Sequence, residues 1–135
     1  MKIIDLLNED KVTLSFEVFP PKTSSKYENV LKAAEKIASL NPSFMSVTYG
    51  AGGGTSAHTV ALAKDIHEKY DVEVMAHLTC VSSTREHVES MVEQFKENGT
   101  QSLFIASIAS ADRSHSSADN VICQQSGLFI IYFAA

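Results

Sequence analysis

Residues 43–70 read SFMSVTYGAGGGTSAHTVALAKDIHEKY, and this stretch decides the fold. Its first part, Ser43–Tyr49, is a short run of aromatic, thioether and β-branched side chains, the composition of a buried strand. Four glycines within Gly50–Gly54 then break the run. From Thr55 or Ser56 the spacing changes: Val60, Ala61, Ala63 and Ile66 supply apolar positions at helical intervals, and Tyr70-Asp71 ends the pattern. A strand, a glycine turn and a helix in immediate succession form one half of a βαβ unit.

The same unit repeats on both sides. Apolar runs at Val12–Phe19, Glu73–Cys80 and Gln101–Ile108 are spaced about 30 residues apart, the length of a strand plus its crossover helix. A helix is expected from Ser24 or Ser25, with Ser25 and Glu28 as a capping box. Its buried face is Val30, Leu31, Ala34, Ile37 and Ala38, and Asn41-Pro42 stops it. A third helix is expected after Ser83, with Glu86 completing a second capping box. Val88, Met91, Val92 and Phe95 form its apolar stripe, Glu89, Glu93, Lys96 and Glu97 face water, and Asn98-Gly99 is a left-handed cap. The order βαβαβαβ places the chain in the α/β class, with a parallel sheet and right-handed crossovers. Two architectures satisfy it, an open doubly wound sheet and part of a (β/α)₈ TIM barrel. A whole barrel needs about 250 residues; the 135 present cover about the first half.

Composition excludes several functions. The net charge is −5, and no basic stripe accompanies the 11 aromatic residues, so nucleic acid is not an expected partner. The longest apolar run, Leu128–Ala135, is far too short to span a bilayer, so no membrane partner is expected. The amino terminus, MKIIDLLNEDK, carries acids within its apolar stretch, unlike a signal peptide. Cys80 and Cys123 make no disulfide framework. The expected location is cytoplasmic. His58, His67, His77, His87 and His115 are too dispersed for a metal site. No G-x-S-x-G elbow is present.

Ligands of parallel α/β sheets gather at the carboxyl ends of the strands. Glu17 lies near the end of the first strand, alternating with Phe16 and Val18. A carboxyl group there reads either as a general acid, its pKa raised by apolar surroundings, or as a solvent-facing side chain on an edge strand. The second strand ends in Thr48-Tyr49-Gly50-Ala51-Gly52. It is neither a Rossmann fingerprint, since position 55 is Thr55, nor a P-loop, since no Lys-Ser/Thr follows. It reads as a loop that lets a ligand approach the backbone, or as a plain βα turn. At the end of the third strand His77 and Thr79 share one face and Leu78 and Cys80 the other. His77 is a ligand contact or a satisfied core polar residue, and Cys80 a nucleophile or a small buried thiol.

Taken together, these strand ends resemble one family. Ser15-Phe16-Glu17-Val18-Phe19-Pro20-Pro21-Lys22 resembles the opening signature of methylenetetrahydrofolate reductases. Phe44-Met45-Ser46-Val47-Thr48-Tyr49-Gly50-Ala51-Gly52-Gly53 resembles their second-strand motif, and Ala76-His77-Leu78-Thr79-Cys80 their third. The three are collinear and cover about residues 1–105. The resemblance implies a flavin-bearing TIM barrel. Such a barrel reduces 5,10-methylenetetrahydrofolate to 5-methyltetrahydrofolate, with hydride passing from NADH or NADPH by way of FAD. It implies Glu17 as the general acid that helps open the folate ring. It also implies Thr48, Tyr49, Gly50, Ala51, His77 and Thr79 as FAD contacts, with folate as substrate partner.

Residues 106–135 depart from this pattern. Only Asp112, Arg113 and Asp119 are charged after residue 99, and seven serines fall in the same stretch. The family's Leu-Arg-Gly-Asp motif is replaced by Phe104-Ile105-Ala106-Ser107-Ile108-Ala109-Ser110-Ala111. A truncated or frame-shifted end and a genuine short variant are the two explanations. An open half-barrel exposes strand edges, so association into a homo-oligomer is expected, and the alternative function is a non-catalytic half-barrel that oligomerises.

Overall fold

A computed structural model of the chain describes residues 3–8, 10–50, 55–80, 83–100, 102–107 and 127–132. The expected alternation is present. Strands β1 (Ser15–Val18), β2 (Phe44–Val47), β3 (Val74–Thr79) and β4 (Ser102–Ser107) pair in chain order, all parallel. Helices α2 (Tyr27–Ala38), α3 (Ser56–Tyr70) and α4 (Arg85–Glu97) form the crossovers, and a short helix α1 (Ile3–Leu7) precedes β1. A fifth strand, β5 (Gly127–Tyr132), runs antiparallel along the far edge of β4, Phe104 opposite Ile130.

The core shows how the layers are stacked. Val18, Met45, Val47, Val74, Ala76, Leu78, Leu103 and Ile105 point to one face of the sheet. Leu31, Ala34 and Ala38 of α2, Val60, Leu62, Ala63 and Ile66 of α3, and Val88, Met91 and Phe95 of α4 meet them in a single cluster. All three crossover helices therefore cover the same face. A doubly wound sheet reverses its strand order and puts helices on both faces. Here the parallel strands run in chain order with the three crossover helices on one side, so the doubly wound arrangement is not the one present among the described residues. Phe95, Leu62 and Ile66 are almost wholly buried; each contributes about 1.5–3 kcal/mol by leaving water. On the opposite face α1 places Ile3 and Leu6 against Phe44, with Met75 beside them, and closes the amino ends of β2 and β3.

Helix ends depart from expectation in detail. Ser25 does not cap α2. It lies inside a single 3₁₀ turn, Ser24–Lys26, and Lys26 precedes α2 with no side-chain cap. The cap of α4 is Thr84 rather than Ser83, its hydroxyl accepting from the His87 N–H at 3.2 Å. Three consecutive hydroxyl residues, Ser82-Ser83-Thr84, competed for that position, and periodicity alone could not choose between neighbours. Ala61 is exposed, whereas Thr59 and Leu62 are fully buried, so the inner stripe of α3 lies to either side of the expected alanine. The C-terminal ends agree better: Asp71 after α3 and Gly99 after α4 have φ of 55° and 78°. Between α2 and α3, the Tyr27 hydroxyl donates to Asp65 at 2.8 Å, and Lys69 pairs with the same carboxylate at 3.1 Å. Burial, reinforced by Asp65, pushes the Tyr27 phenol far up, so it remains a donor.

Candidate active site

Strand alternation sends one set of side chains to the helices and the other to the open face. Glu17 sits level with Ser46 across β1 and β2, and His77 level with Phe104 across β3 and β4. Thr48 follows β2 directly, and its N–H still donates to the Val18 carbonyl at 3.0 Å. The pleat therefore continues one residue, and Thr48 falls on the face of Ser46. Glu17, Thr48, His77 and Thr79 thus gather at the carboxyl end of three adjacent strands.

Two of them meet. Glu17 Oε1 lies 3.6 Å from His77 Nδ1, reaching over β2 from its neighbour strand. The distance is beyond a formed hydrogen bond but within ion-pair range. The Glu17 side chain is 46% exposed and that of His77 24%. The apolar enclosure expected around Glu17 is therefore absent among the described residues: the carboxylate faces solvent on one side and an imidazole on the other. The His77 ring rests on Phe104, centroids 4.9 Å apart and planes tilted by 40°. Burial lowers the His77 pKa below its usual 6.5, and the carboxylate of Glu17 opposes this in part. At neutral pH the ring is uncharged, with one nitrogen donating and the other accepting.

The glycine turn is used internally at its first residue. The Gly50 N–H donates to Thr55 Oγ1 at 2.8 Å, and a β-carbon on Gly50 would run into that oxygen. Close approach of Thr55, rather than a left-handed backbone, is what requires glycine here. Thr55 is spent on Gly50 and does not cap α3, although it stands at the N-cap position. Ala51, with Gly52, Gly53 and Gly54, lies outside the described residues. Tyr49 turns away from the open face. Its ring packs on the helix-side core, and its buried hydroxyl closes no hydrogen bond with a described residue. Burial raises its pKa, and the neighbouring Ser56 side chain opposes this in part. Only the Tyr49 backbone is left to line the site. Thr79 is half-buried on the His77 face, and Cys80 packs against the core with Leu78.

Two contributors were not foreseen. Phe104 fixes the His77 ring, and its signal was available: it occupies the inward parity of β4, level with His77. Thr59 is fully buried in α3, and its hydroxyl reaches the Thr48 carbonyl at 3.1 Å and the Thr55 carbonyl at 3.0 Å. A threonine within a helical stripe carries no sequence mark of that duty.

Residues 2–107 match the sequence model of the family described as methylenetetrahydrofolate reductase. The chain belongs to that family. It is 35% identical over 102 residues to methylenetetrahydrofolate reductase (NADH) 1 of Zea mays, covering 76% of this chain and 17% of the plant protein. It is 36% identical over 91 residues to 5,10-methylenetetrahydrofolate reductase of Pectobacterium carotovorum subsp. carotovorum, covering 67% of this chain and 30% of that protein. A similar match to the Buchnera aphidicola reductase has 34% identity over 102 residues and covers 35% of its length. The chain thus spans between 17% and 35% of the length of these three reductases, and the family match over residues 2–107 contains Glu17, Thr48 and His77.

Proposed function

We propose that residues 1–105 form the opening βα units of a flavin-dependent methylenetetrahydrofolate reductase barrel, carrying its general acid and part of its FAD wall. The observation that carries this reading is the convergence of Glu17 and His77 across β2, at the carboxyl ends of β1 and β3 and within family-matching segments. The donor set suits a flavin. Hydroxyls of Thr48 and Thr79 and an uncharged His77 ring offer hydrogen bonds to the heteroatom edge of a flat ring, and the Tyr49–Ala51 backbone borders it. Bound there, FAD would relay hydride from NADH or NADPH to the folate methylene carbon. Glu17, exposed on the same face, can reach a substrate from solvent. Its carboxyl would give a proton to the ring nitrogen that leaves when the folate five-membered ring opens. Cytoplasmic one-carbon metabolism is the setting this implies.

The direct test is flavin retention. The chain is mixed with FAD and desalted; persistent flavin absorbance supports the reading, and its complete loss overturns independent cofactor binding. In a preparation that retains flavin, Glu17→Gln should spare reduction by nicotinamide and block transfer to folate. Equal loss of both half-reactions removes the acid role.

A second reading is favoured by β1, whose outer edge has no partner among the described strands. In it the chain is a non-catalytic half-barrel that self-associates into a homo-oligomer. Light scattering after size exclusion separates the two: a monomer binding FAD tightly rejects the second.

A further inference from the structure

We propose that His77 is a positioning residue for Glu17, its Nδ1–H held toward the carboxylate by the tilted ring of Phe104 against it. The proposal deepens the general-acid reading and rests on it for its catalytic meaning. The contact itself stands on geometry alone.

Consider what surrounds the imidazole. From β1 it is faced by Glu17 at 3.6 Å. From β2 come the uncharged Ser46 and Thr48, from β4 Phe104, and from its own strand Met75 and Thr79. Among the described residues Glu17 is the one charged group acting on the ring. Phe104 covers one flank at 4.9 Å, which restricts rotation about the Cβ–Cγ bond and keeps Nδ1 on the Glu17 side. An uncharged ring with its proton on Nδ1 offers Glu17 a donor and leaves the Nε2 lone pair for another partner.

The consequence for proton transfer is specific. When the Glu17 carboxyl gives its proton to a substrate nitrogen, one O–H bond breaks, one N–H bond forms, and a carboxylate remains. That carboxylate then faces the Nδ1–H dipole, and the imidazole itself neither gains nor loses a proton. His77 would thus stabilise the product side of the transfer and fix which oxygen of Glu17 points to solvent.

The test is a proton titration of the ring Cε1–H of His77 by NMR in the full chain without flavin, the signal being assigned by its loss in His77→Asn. Removing the carboxylate charge in Glu17→Gln should move the His77 midpoint down by about half a pH unit. Glu17→Asp, which withdraws the charge by one methylene, should fall between. Phe104→Leu should abolish the ring-current displacement of the His77 signal and shrink the response to Glu17→Gln. Identical midpoints in the parent chain and both Glu17 variants overturn the proposal; should Glu17→Gln fail to fold, Glu17→Asp decides alone. Because no flavin is present, a chain that titrates as expected but does not retain FAD keeps the pair and loses only the flavin reading.

Discussion

The buried hydroxyl of Thr59 donates to the carbonyl of Thr48 at 3.1 Å, so a side chain of α3 holds the end of β2. The same oxygen lies 3.0 Å from the Thr55 carbonyl, one proton serving two acceptors. Replacing Thr59 by valine keeps the shape and removes the donor. The part-buried Thr48 carbonyl then loses this donor, which costs up to about 1–3 kcal/mol. Urea unfolding of Thr59→Val should show this loss, with faster amide exchange at Thr48 and Gly50. Thr59→Ser, which keeps the hydroxyl, should preserve that local protection.

Gly50 makes a second prediction through Thr55. A β-carbon at position 50 would collide with Thr55 Oγ1 and stand 3.3 Å from its Cγ2, displacing the acceptor of the Gly50 N–H. Gly50→Ala should therefore destabilise the chain by about 1–3 kcal/mol, in the range of a lost buried hydrogen bond. If the collision is the cause, the effect must depend on Thr55. Gly50→Ala combined with Thr55→Ala should be less destabilised than the sum of the single variants, measured as a double-mutant cycle. Strict additivity would reject the collision.

How much of this could be read beforehand differs by element. The four parallel strands were legible because each is a short apolar run at a fixed interval, and the gathering of Glu17, Thr48, His77 and Thr79 because parallel strands end on the same side of the sheet. Strand length was not: Val12 and Phe19 are 95% and 67% exposed, so the hydrophobic run around β1 is longer than the paired segment. Composition marks apolar residues, whereas a strand ends where its neighbour's backbone does. The three helices were placed well, but α2 and α3 have no side-chain N-cap, and the cap of α4 fell to Thr84 beside Ser83. Glu17 and His77 were named separately, and their 3.6 Å approach arises from the sheet bringing β1 and β3 to either side of β2. The antiparallel β5 had no place in a βα repeat, since nothing in GLFIIY fixes direction.

His77 also sets a pH dependence. Its folded pKa lies below 6.5, so between that lowered value and 6.5 the unfolded chain binds more protons than the folded one. Stability from this group therefore rises with pH through the window and is level above it. Acidifying from pH 7 toward 5 should lower the urea midpoint, and His77→Asn should flatten this part of the curve. Glu17→Gln should deepen it, because the charge that partly supports the protonated ring is gone. Glu86 acts in a separate, lower window. Its pKa is pulled below 4.5 by its own backbone N–H and by Thr84, so its contribution is present above 4.5 and fades only as pH falls further. A profile with no slope between pH 5 and 6.5 would show that His77 is not held uncharged by burial.

The last prediction concerns the two edges of the sheet. At one edge β1 is only four residues long and carries Glu17 on its open face. At the other edge β4 is six residues long and is covered by β5 from Ser102–Tyr132 to Ser107–Gly127. The covering segment, GLFIIY, has no charge and is rich in β-branched and aromatic residues, the composition of an aggregation-prone strand when unpaired. Successive residues of an antiparallel strand alternate in which neighbour their N–H groups face, so of Ile130 and Ile131 one must present its N–H to β4. Proline there removes a ladder donor and opens both β4 and the freed segment. One of Ile130→Pro and Ile131→Pro should therefore give a clearly higher mass by light scattering than the unsubstituted chain, with a concentration-dependent increase in thioflavin fluorescence. If both variants match the parent in mass and in urea midpoint, β5 does not protect the β4 edge.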